Sequence, residues 1–250
     1  MKLQEASLVL TGGGSGIGRF LLDSLVGDGA SVAVLELDTF NCAKIAALYP
    51  EKVQAFVCDV TDAAAVDDVL LQLFESGFEP NGLINNAGVI YSQPLVNMLT
   101  KGDRVHSRDD WRRILAANLD SVFLVTGRVV DRMLAKRTKG VVVSLSSIAA
   151  RGNAGQSAYA AAKAGVNALT MTWAKELGAM GLRFVSIAPG FIDTPSTNAS
   201  LSEATITKLK QQVPLRRLGD LENVYQAVRY AIENDYVNGT VLEVDGGLVI

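Results

Sequence analysis

Short runs of β-branched and apolar residues alternate along this chain with longer segments whose apolar residues recur at helical spacing. This alternation predicts βαβ units around a parallel sheet, because parallel strands need crossover helices and are buried on both faces. We predict strands near 6–11, 31–36, 53–58, 81–85, 140–146, 182–187 and 240–244. We predict helices over 16–27, 39–49, 61–76, 108–137, 157–180 and 220–234. The expected fold is α/β: a single-domain, doubly wound (Rossmann) parallel sheet of about seven strands with helices on both faces, spanning 1–250.

Two intervals depart from the short connections that are usual in such folds. Residues 89–107 contain a proline, a glycine and mixed charges, so they form either an insertion near the site or a disordered loop. Residues 191–199 are rich in Thr, Ser and Pro and precede a short helix that should end near Gln212; we interpret them as a lid. The single histidine, His106, lies in the first interval with no metal-ligand pattern around it, which predicts a polar loop residue.

The composition indicates a globular chain without a polyanionic partner. Hydrophobic residues make up 49% and charged residues 20%, and the net charge is -3, which argues against intrinsic disorder and against nucleic-acid binding. Cys42 and Cys58 are too few for a disulfide framework, so we expect two buried thiols in a reducing cytoplasm. The first apolar run is too short for a signal peptide, and no run reaches the roughly 20 residues that span a bilayer.

The first predicted strand runs directly into a glycine-rich turn, Thr11-Gly12-Gly13-Gly14-Ser15-Gly16-Ile17-Gly18. The glycines do not match the GxGxxG spacing, but they permit a tight turn, a close approach to a pyrophosphate and close packing of the next helix. The positive end of that helix would face the phosphates. Taken alone, the turn is equally consistent with a purely structural role. As a nucleotide site it predicts contacts from Gly12, Ser15, Gly16, Ile17 and Gly18.

The end of the second strand indicates which nucleotide would bind. Glu36 follows the glycine turn at close to the spacing of about 20 residues at which an acid meets the ribose 2′-hydroxyl. A 2′-phosphate would be repelled by this carboxylate, and neither Ser15 nor Leu37 supplies a compensating cation. NAD is therefore favoured over NADP. The alternative is that Glu36 only caps a strand at the surface.

Two further strand ends add to the predicted crevice. The fourth strand ends in Asn85-Asn86-Ala87-Gly88, and the first and fourth strands are neighbours at the switch point of a doubly wound sheet. We therefore predict that Asn86, Ala87 and Gly88 lie beside the glycine turn. After the third strand, Asp59 and Val60 are predicted cofactor contacts, with Asp59 accepting from the adenine amino group; the alternative for Asp59 is an acid near a helix N-terminus.

A phenol and an ammonium group are predicted to share one helical face, because Tyr159 and Lys163 are four residues apart. A nearby cation stabilises a phenolate and lowers a tyrosine pKa from its usual value near 10. The spacing is common, and a surface pair is the alternative. However, the strand before this helix ends in Ser144-Leu145-Ser146-Ser147, which places hydroxyls at the same edge of the sheet. The combination predicts a chemical site there.

Taken in order, the motifs TGxxxGxG, NNAG, the Asn of the fourth helix, Ser, YxxxK and PG resemble those of the short-chain dehydrogenase/reductase family over essentially the whole chain. The resemblance implies hydride exchange between a carbinol carbon and a nicotinamide, without a metal. It implies that Tyr159 is the general acid/base and that Lys163 lowers its pKa and binds the nicotinamide ribose. It further implies that Ser147 contacts the substrate oxygen, with Ser146 as the alternative, and that Asn118 positions a relay water.

The resemblance also covers the turn after the sixth strand. Pro189 and Gly190 match the turn that flanks the nicotinamide, and Ile192 and Thr194 would meet its carboxamide. Ser186 stands where relatives often have Asn, which leaves one structural hydrogen bond open.

Substrate and assembly are implied by resemblance as well. The segment 99–106 is similar to one in 3-hydroxyacyl-CoA dehydrogenases of this family, and 152–156 resembles 3-oxoacyl-thioester reductases. These similarities imply a 3-hydroxyacyl/3-oxoacyl thioester. Asp131 and Met180 stand where relatives that act on acyl-carrier protein often have two Arg, which favours CoA as the carrier. The alternatives are a sugar, polyol, steroid or other small secondary alcohol and, more remotely, a non-catalytic NAD-binding module. A homotetramer is expected from the Ala-rich helix at 158–174 and the apolar end at 241–250, unless both pack only within one subunit.

Overall fold

Seven parallel strands form one sheet in the computed structural model, which describes residues 1–194 and 202–249. The strands are β1 (Ser7–Thr11), β2 (Ser31–Glu36), β3 (Val53–Val57), β4 (Gly82–Asn85), β5 (Gly140–Leu145), β6 (Leu182–Pro189) and β7 (Thr240–Val244). Their order is β3-β2-β1-β4-β5-β6-β7, and every neighbouring pair is parallel. The predicted doubly wound sheet is confirmed.

Helices connect the strands and cover both faces of the sheet. They are α1 (Gly16–Gly27), α2 (Thr39–Leu48), α3 (Ala63–Glu75), α4 (Arg108–Leu115), α5 (Ser121–Ala135), α6 (Ser157–Leu177), α7 (Glu203–Gln212) and α8 (Leu221–Glu233). The short helix predicted to end near Gln212 is confirmed as α7. Helix α6 ends three residues earlier than predicted, and a 3-10 turn leads to Gly181, whose φ of 83° stops the helix.

The single helix predicted over 108–137 is wrong in its middle, where a π turn spans Ala116–Asp120 and separates α4 from α5. The side chain of Asn118 explains the interruption. Its Nδ2 atom donates to the carbonyl oxygen of Ile114 at 3.0 Å, so a side-chain donor occupies the carbonyl that a regular helix offers to a backbone N–H. The extra backbone residue of the turn carries Asn118 into the interior, where it is fully buried.

Two apolar layers lie on either side of the sheet, and successive strand residues alternate between them. In β1, Leu8 and Leu10 pack in the layer with α1 and α8, whereas Val9 packs in the layer with α3 and α5. Alternation of this kind follows from the two-residue period of a strand. Burial on both faces explains why the strands read as continuous apolar runs.

A row of polar side chains crosses the middle of the sheet. Asn85, Ser144 and Ser186 are register partners on the adjacent strands β4, β5 and β6. The Asn85 Nδ2 atom donates to Ser144 Oγ at 3.2 Å and to Thr126 Oγ1 at 2.9 Å. Ser186 Oγ lies 2.6 Å from Thr170 Oγ1, which provides the hydrogen bond that the replacement of Asn left open.

The segment 89–107 has the character of an ordered insertion, and the alternative of a disordered loop is wrong. Isolated bridges join Gln93 to Gln156 and Val96 to Val105. Of the predicted lid, residues 195–199 lie outside the described residues. Cys42 and Cys58 are buried and unpaired, as predicted. Within the described residues, no helix has the length and apolar character needed to cross a bilayer.

Candidate active site

A cavity of about 510 Å³ opens at the carboxyl ends of the strands, where doubly wound sheets bind their ligands. The sequence also predicts that Asn85 shapes the cofactor pocket, but Asn85 lies buried against Thr126 and Ser144 and does not line this cavity. All the other residues predicted for the site line it. They are Gly12, Ser15, Gly16, Ile17, Gly18, Glu36, Asp59, Val60, Asn86, Ala87, Gly88, Asn118, Ser147, Tyr159, Lys163, Pro189, Gly190, Ile192 and Thr194.

The two small-residue turns meet as predicted and are tied together by hydrogen bonds. Thr11 Oγ1 accepts the backbone N–H groups of Asn86 and Ala87, each at 3.0 Å. In return, Asn86 Nδ2 donates to the carbonyl oxygens of Gly12 and Thr11 at 2.8 and 3.1 Å. The floor of the cavity is therefore a rigid joint between β1 and β4.

The glycine turn is shaped for a ligand that needs close backbone contact. A Cβ atom at Gly18 would lie 1.9 Å from the carbonyl oxygen of Gly12, so no side chain fits at this position. Gly12 itself has a φ of 69°, a conformation that favours glycine. Ser15 is the N-cap of α1, but its side chain makes no capping hydrogen bond. The first-turn amides of α1 thus keep their capacity to bind an anion.

The carboxylate of Glu36 is held in place at the rim of the same turn. Its Oε2 atom accepts the backbone N–H of Gly14 at 2.7 Å, and its Oε1 atom accepts that of Asp38 at 3.1 Å. Glu36 is buried, with 9% of its surface exposed, so the alternative of a surface strand cap is wrong. Two fixed acceptor oxygens at this position suit a pair of hydroxyl donors and disfavour an anion.

Asp59 lines the cavity after β3, but its local hydrogen bonds are those of a turn. Its Oδ1 atom accepts the backbone N–H of Thr61 at 2.9 Å and the Thr61 hydroxyl at 2.7 Å. The N-cap of α3 is Asp62. Asp59 therefore stabilises the chain just ahead of that helix while presenting a carboxylate to the cavity.

Tyr159 and Ser147 place two hydroxyls side by side at the other end of the cavity. Tyr159 is 8% exposed and lies on the first turns of α6. Burial raises the pKa of Tyr159, and its hydrogen bond with Ser147 acts in the opposite direction. Ser147 Oγ also accepts the N–H of Ala149 at 3.1 Å, which orients it. Ser146 Oγ is instead directed to the carbonyl oxygen of Lys163.

Lys163 lies one turn further along α6, beneath the tyrosine. Its Nζ atom donates to the carbonyl oxygen of Leu145 at 2.7 Å and lies 5.7 Å from the centroid of the Tyr159 ring. Burial lowers the pKa of Lys163 to about 8, so the ammonium form still predominates at neutral pH. The lowered tyrosine pKa predicted from this neighbour is not what the structure shows, because burial outweighs the other influences on Tyr159.

Asn118 and Lys163 leave a space between them that only a glycine preserves. A Cβ atom at Gly88 would lie 2.5 Å from Asn118 Oδ1 and 3.6 Å from Lys163 Nζ. Asn118 Oδ1 accepts the backbone N–H of Val89 at 3.2 Å, and its Nδ2 atom donates to the Val89 carbonyl at 3.0 Å. The glycine turn from Gly12 to Gly18, which we call the glycine cradle, can hold a pyrophosphate, and the two carboxylate oxygens of Glu36 can accept from ribose hydroxyls. Together with the space beside Gly88, they fit a nicotinamide dinucleotide.

Sequence reasoning missed several residues that line the cavity. Leu35, Leu37, Cys58 and Leu145 are apolar and lie at or just beyond a strand end, whereas Val89, Ile90 and Phe191 fall in the two irregular intervals, 89–107 and 191–199, that the sequence analysis singled out. Their shared signal is position, because every residue just beyond the carboxyl end of a central strand faces this crevice. Leu37 and Ile90 are 65% and 76% exposed and present apolar surface to the cavity.

His106 also differs from its prediction as a polar loop residue. The side chain is 8% exposed, and its ring contacts Tyr91 and Trp111 edge-on. Sequence alone could not reveal this, because the aromatic partners lie on either side of an irregular segment.

Comparison with known proteins places the chain among nicotinamide-dependent oxidoreductases. A family model described as enoyl-(acyl carrier protein) reductase matches residues 12–249. The (3R)-3-hydroxyacyl-CoA dehydrogenase of Homo sapiens is 36% identical over 99% of this chain and 97% of its own length. The 3-oxoacyl-acyl-carrier-protein reductase of Thermotoga maritima is 36% identical over the full length of both chains, and that of Escherichia coli is 30% identical over 99% of each.

The fold and the cavity define an oxidoreductase that acts on CH–OH groups with a nicotinamide cofactor. More particularly, the chain belongs to the short-chain dehydrogenase/reductase family, as its ordered motifs predict.

Proposed function

We propose that this protein is an NAD(H)-dependent oxidoreductase that interconverts 3-hydroxyacyl and 3-oxoacyl thioesters. The observation that carries the proposal is the shared cavity, in which the Tyr159 and Ser147 hydroxyls face the same space as the glycine cradle. The substrate class is taken from the names of the full-length relatives, which act on the two oxidation states of one functional group.

In the proposed reduction, the 3-oxo oxygen accepts hydrogen bonds from Tyr159 and Ser147. As a hydride reaches C3, the O–H bond of Tyr159 breaks and its proton forms the new hydroxyl of the product. The bound nicotinamide supplies that hydride, or accepts it in the reverse direction. The raised pKa of Tyr159 keeps the phenol in its neutral, proton-donating form before reaction.

The transient phenolate needs a positive charge, and Lys163 supplies one. Among the described residues that line the cavity, Lys163 is the one cation. Its ammonium group is charged at neutral pH and lies against the Tyr159 ring. Asn118, held by Val89, is the proposed site for a water that returns a proton to Tyr159.

Glu36 supports NAD as the cofactor in preference to NADP. The carboxylate is fixed by two amide donors, and no cation from the described part of the lining lies beside it, since Lys163 serves the opposite end. A 2′-phosphate would meet this charge without compensation. We propose that Gly12 to Gly18 hold the pyrophosphate, that Asp59 and Val60 meet the adenine, and that Pro189, Gly190, Ile192 and Thr194 hold the nicotinamide.

Cofactor titration followed by turnover measurement tests the proposal. We expect NADH to bind at least about tenfold more tightly than NADPH, and acetoacetyl-CoA to be reduced. The same assay with acyl-carrier-protein thioesters identifies the carrier, which we propose to be CoA. Robust turnover of a sugar, polyol or steroid alcohol with none of acetoacetyl-CoA would overturn the substrate class. NADH binding without turnover of any alcohol would indicate a non-catalytic module.

We further propose a homotetramer of single-domain chains in the cytoplasm. A groove between α5 and α6 is lined by Leu119, Leu124 and Leu169, and Phe123 beside it is 59% exposed. Small residues on α6, including Gly165 and Ala168, permit a second copy of the helix to approach. Within one subunit, Leu248 already packs against Val213. Light scattering that gives a monomer mass would contradict the tetramer.

A further inference from the structure

The insertion, residues 89–107, is fixed to the catalytic framework at its beginning. Val89 exchanges two hydrogen bonds with the side chain of Asn118, and both Val89 and Ile90 line the cavity. Further along, Gln93 forms a bridge with Gln156, the N-cap of α6. The first residues of the insertion therefore form a wall of the cavity beside the helix that carries Tyr159.

The end of the insertion is fixed by His106. Its Nδ1 atom lies 2.9 Å from the carbonyl oxygen of Ser107, an acceptor, so Nδ1 carries a proton. The Nε2 atom is buried and has no hydrogen-bond partner among the described residues. Within this part of the chain, the hydrogen bond that anchors the His106 ring is therefore the one from Nδ1.

Aromatic contacts transmit the position of His106 to the tyrosine of the active site. The His106 ring lies edge-on to Tyr91 at 6.0 Å and to Trp111 at 6.2 Å between centroids. Tyr91 in turn packs against the buried cluster that contains Tyr159, Ala149 and Ala158. The contacts of His106 thus lead through Tyr91 to the buried cluster that contains Tyr159.

The charged groups around this contact hold Tyr91 in place. On α4, Asp110 Oδ2 accepts from the Tyr91 hydroxyl at 2.8 Å, and the Arg113 guanidinium lies 5.3 Å from the Tyr91 ring centroid. Asp110 and Arg113 also pair with each other at 2.8 Å. From the insertion, the neutral Gln93 side chain accepts the N–H of Ser107 at 3.2 Å. Tyr91, which packs against His106, is thus held by its own contacts with α4, and Ser107 is held by Gln93.

We propose that His106, through its Nδ1 hydrogen bond to Ser107 and its ring contact with Tyr91, is a positioning residue that holds the insertion wall against Tyr91 and so sets the affinity of the site for its acyl substrate. The inference deepens the proposed function and rests on it for the identity of the substrate. It assigns no direct part in the chemistry to His106.

Two substitutions separate the proposal from a merely structural role. His106→Leu removes both the donor to Ser107 and the ring, whereas His106→Asn retains a donor at a similar position but lacks the ring. We expect His106→Leu to raise the KM for acetoacetyl-CoA about tenfold, with kcat and the Kd for NADH nearly unchanged. His106→Asn should recover only part of the wild-type KM, because it keeps the hydrogen bond to Ser107 but not the ring contact with Tyr91.

Amide hydrogen exchange supplies a readout that does not depend on the substrate. In His106→Leu, exchange should accelerate at residues 92–107 and stay unchanged in the glycine turn, and the exchange rates of His106→Asn should lie between those of His106→Leu and the wild type. An unchanged KM and unchanged exchange in His106→Leu overturn the proposal. The proposal is also overturned if His106→Leu raises the Kd for NADH as much as the KM for acetoacetyl-CoA, because the insertion wall would then not act on the substrate specifically. If exchange in His106→Leu accelerates as expected but the wild-type protein does not reduce acetoacetyl-CoA, only the proposed substrate is overturned.

Discussion

The two ends of the cavity differ in the groups that line them: backbone atoms at one end and side chains at the other. The nucleotide end consists mainly of backbone: glycines that exclude side chains, helix amides and the joint between β1 and β4. The end that contains Tyr159 consists of side chains on α6 and the turn after β5, enclosed by an irregular insertion. Substitutions at the first end should therefore act through steric exclusion and cofactor affinity, and those at the second through chemistry and substrate affinity.

The largest effect is expected at Tyr159. Tyr159→Phe removes the proton donor while keeping the ring that packs in its buried cluster, so turnover should fall at least about 10³-fold. NADH binding, measured by fluorescence titration, should persist, because the nucleotide end is untouched. Tyr236→Phe is the matched control, since Tyr236 is 96% exposed. Unchanged turnover in Tyr159→Phe would show that the division between the two ends is wrong.

The next largest effect is expected at Gly18. Gly18→Ala forces a methyl group onto the Gly12 carbonyl, and we expect a loss of about 1 to 3 kcal/mol of stability together with most of the affinity for NADH. Gly27, at the other end of α1, has no heavy atom within 4 Å of the position that a Cβ atom would occupy. Gly27→Ala should therefore stabilise the protein by about 0.5 to 1 kcal/mol. Urea denaturation and NADH titration measure both variants, and equal behaviour would contradict the steric argument.

A smaller effect is expected from changing the charge at the ribose rim. Replacing Glu36 by Ser and Leu37 by Arg removes the repulsion and adds a donor for a 2′-phosphate. The ratio of the NADPH and NADH dissociation constants should shift by about tenfold or more towards NADPH. Leu37→Arg alone, with Glu36 retained, is the control. If the single variant binds NADPH equally well, the carboxylate does not select the cofactor.

The smallest effect is a pH dependence of stability from Lys163. Burial lowers its pKa to about 8 in the folded protein, against 10.5 as the ordinary value. Between these two pH values the unfolded chain binds more protons than the folded chain, so stability contributed through Lys163 increases as the pH rises. Urea denaturation of the wild type and of Lys163→Met should differ in slope across this window. The reductive rate should fall above about pH 8, where the ammonium is lost.

Lys52→Met is the control for this pH dependence, because Lys52 is exposed. Its stability profile should overlay that of the wild type. If the wild type and Lys163→Met show the same slope of stability between about pH 8 and pH 10, the buried ammonium is contradicted.

The backbone end of the cavity was predictable from sequence because the glycine turn, Glu36 and the turn after β4 follow strand ends that meet at one edge of the sheet. The positions of Gly12, Glu36 and Asn86 follow from strand order and spacing alone. The side-chain end was predictable only through the motif of Tyr159 and Lys163, and the direction of the Tyr159 pKa was not, since burial depends on tertiary contacts. The π turn escaped prediction because it depends on a side-chain hydrogen bond of Asn118 that no helical pattern reveals. The burial of His106 escaped prediction because it depends on ring contacts across an irregular segment.

The polar row across β4, β5 and β6 has a consequence for how the chain reaches its fold. A slip of one residue between β4 and β5 would turn Ser144 towards the opposite apolar layer and leave the Asn85 amide without its partner in the sheet. Such a pairing error carries the cost of an unsatisfied buried donor. The row thus favours a single register between these strands during folding, and this register aligns the strand ends on which the cavity depends.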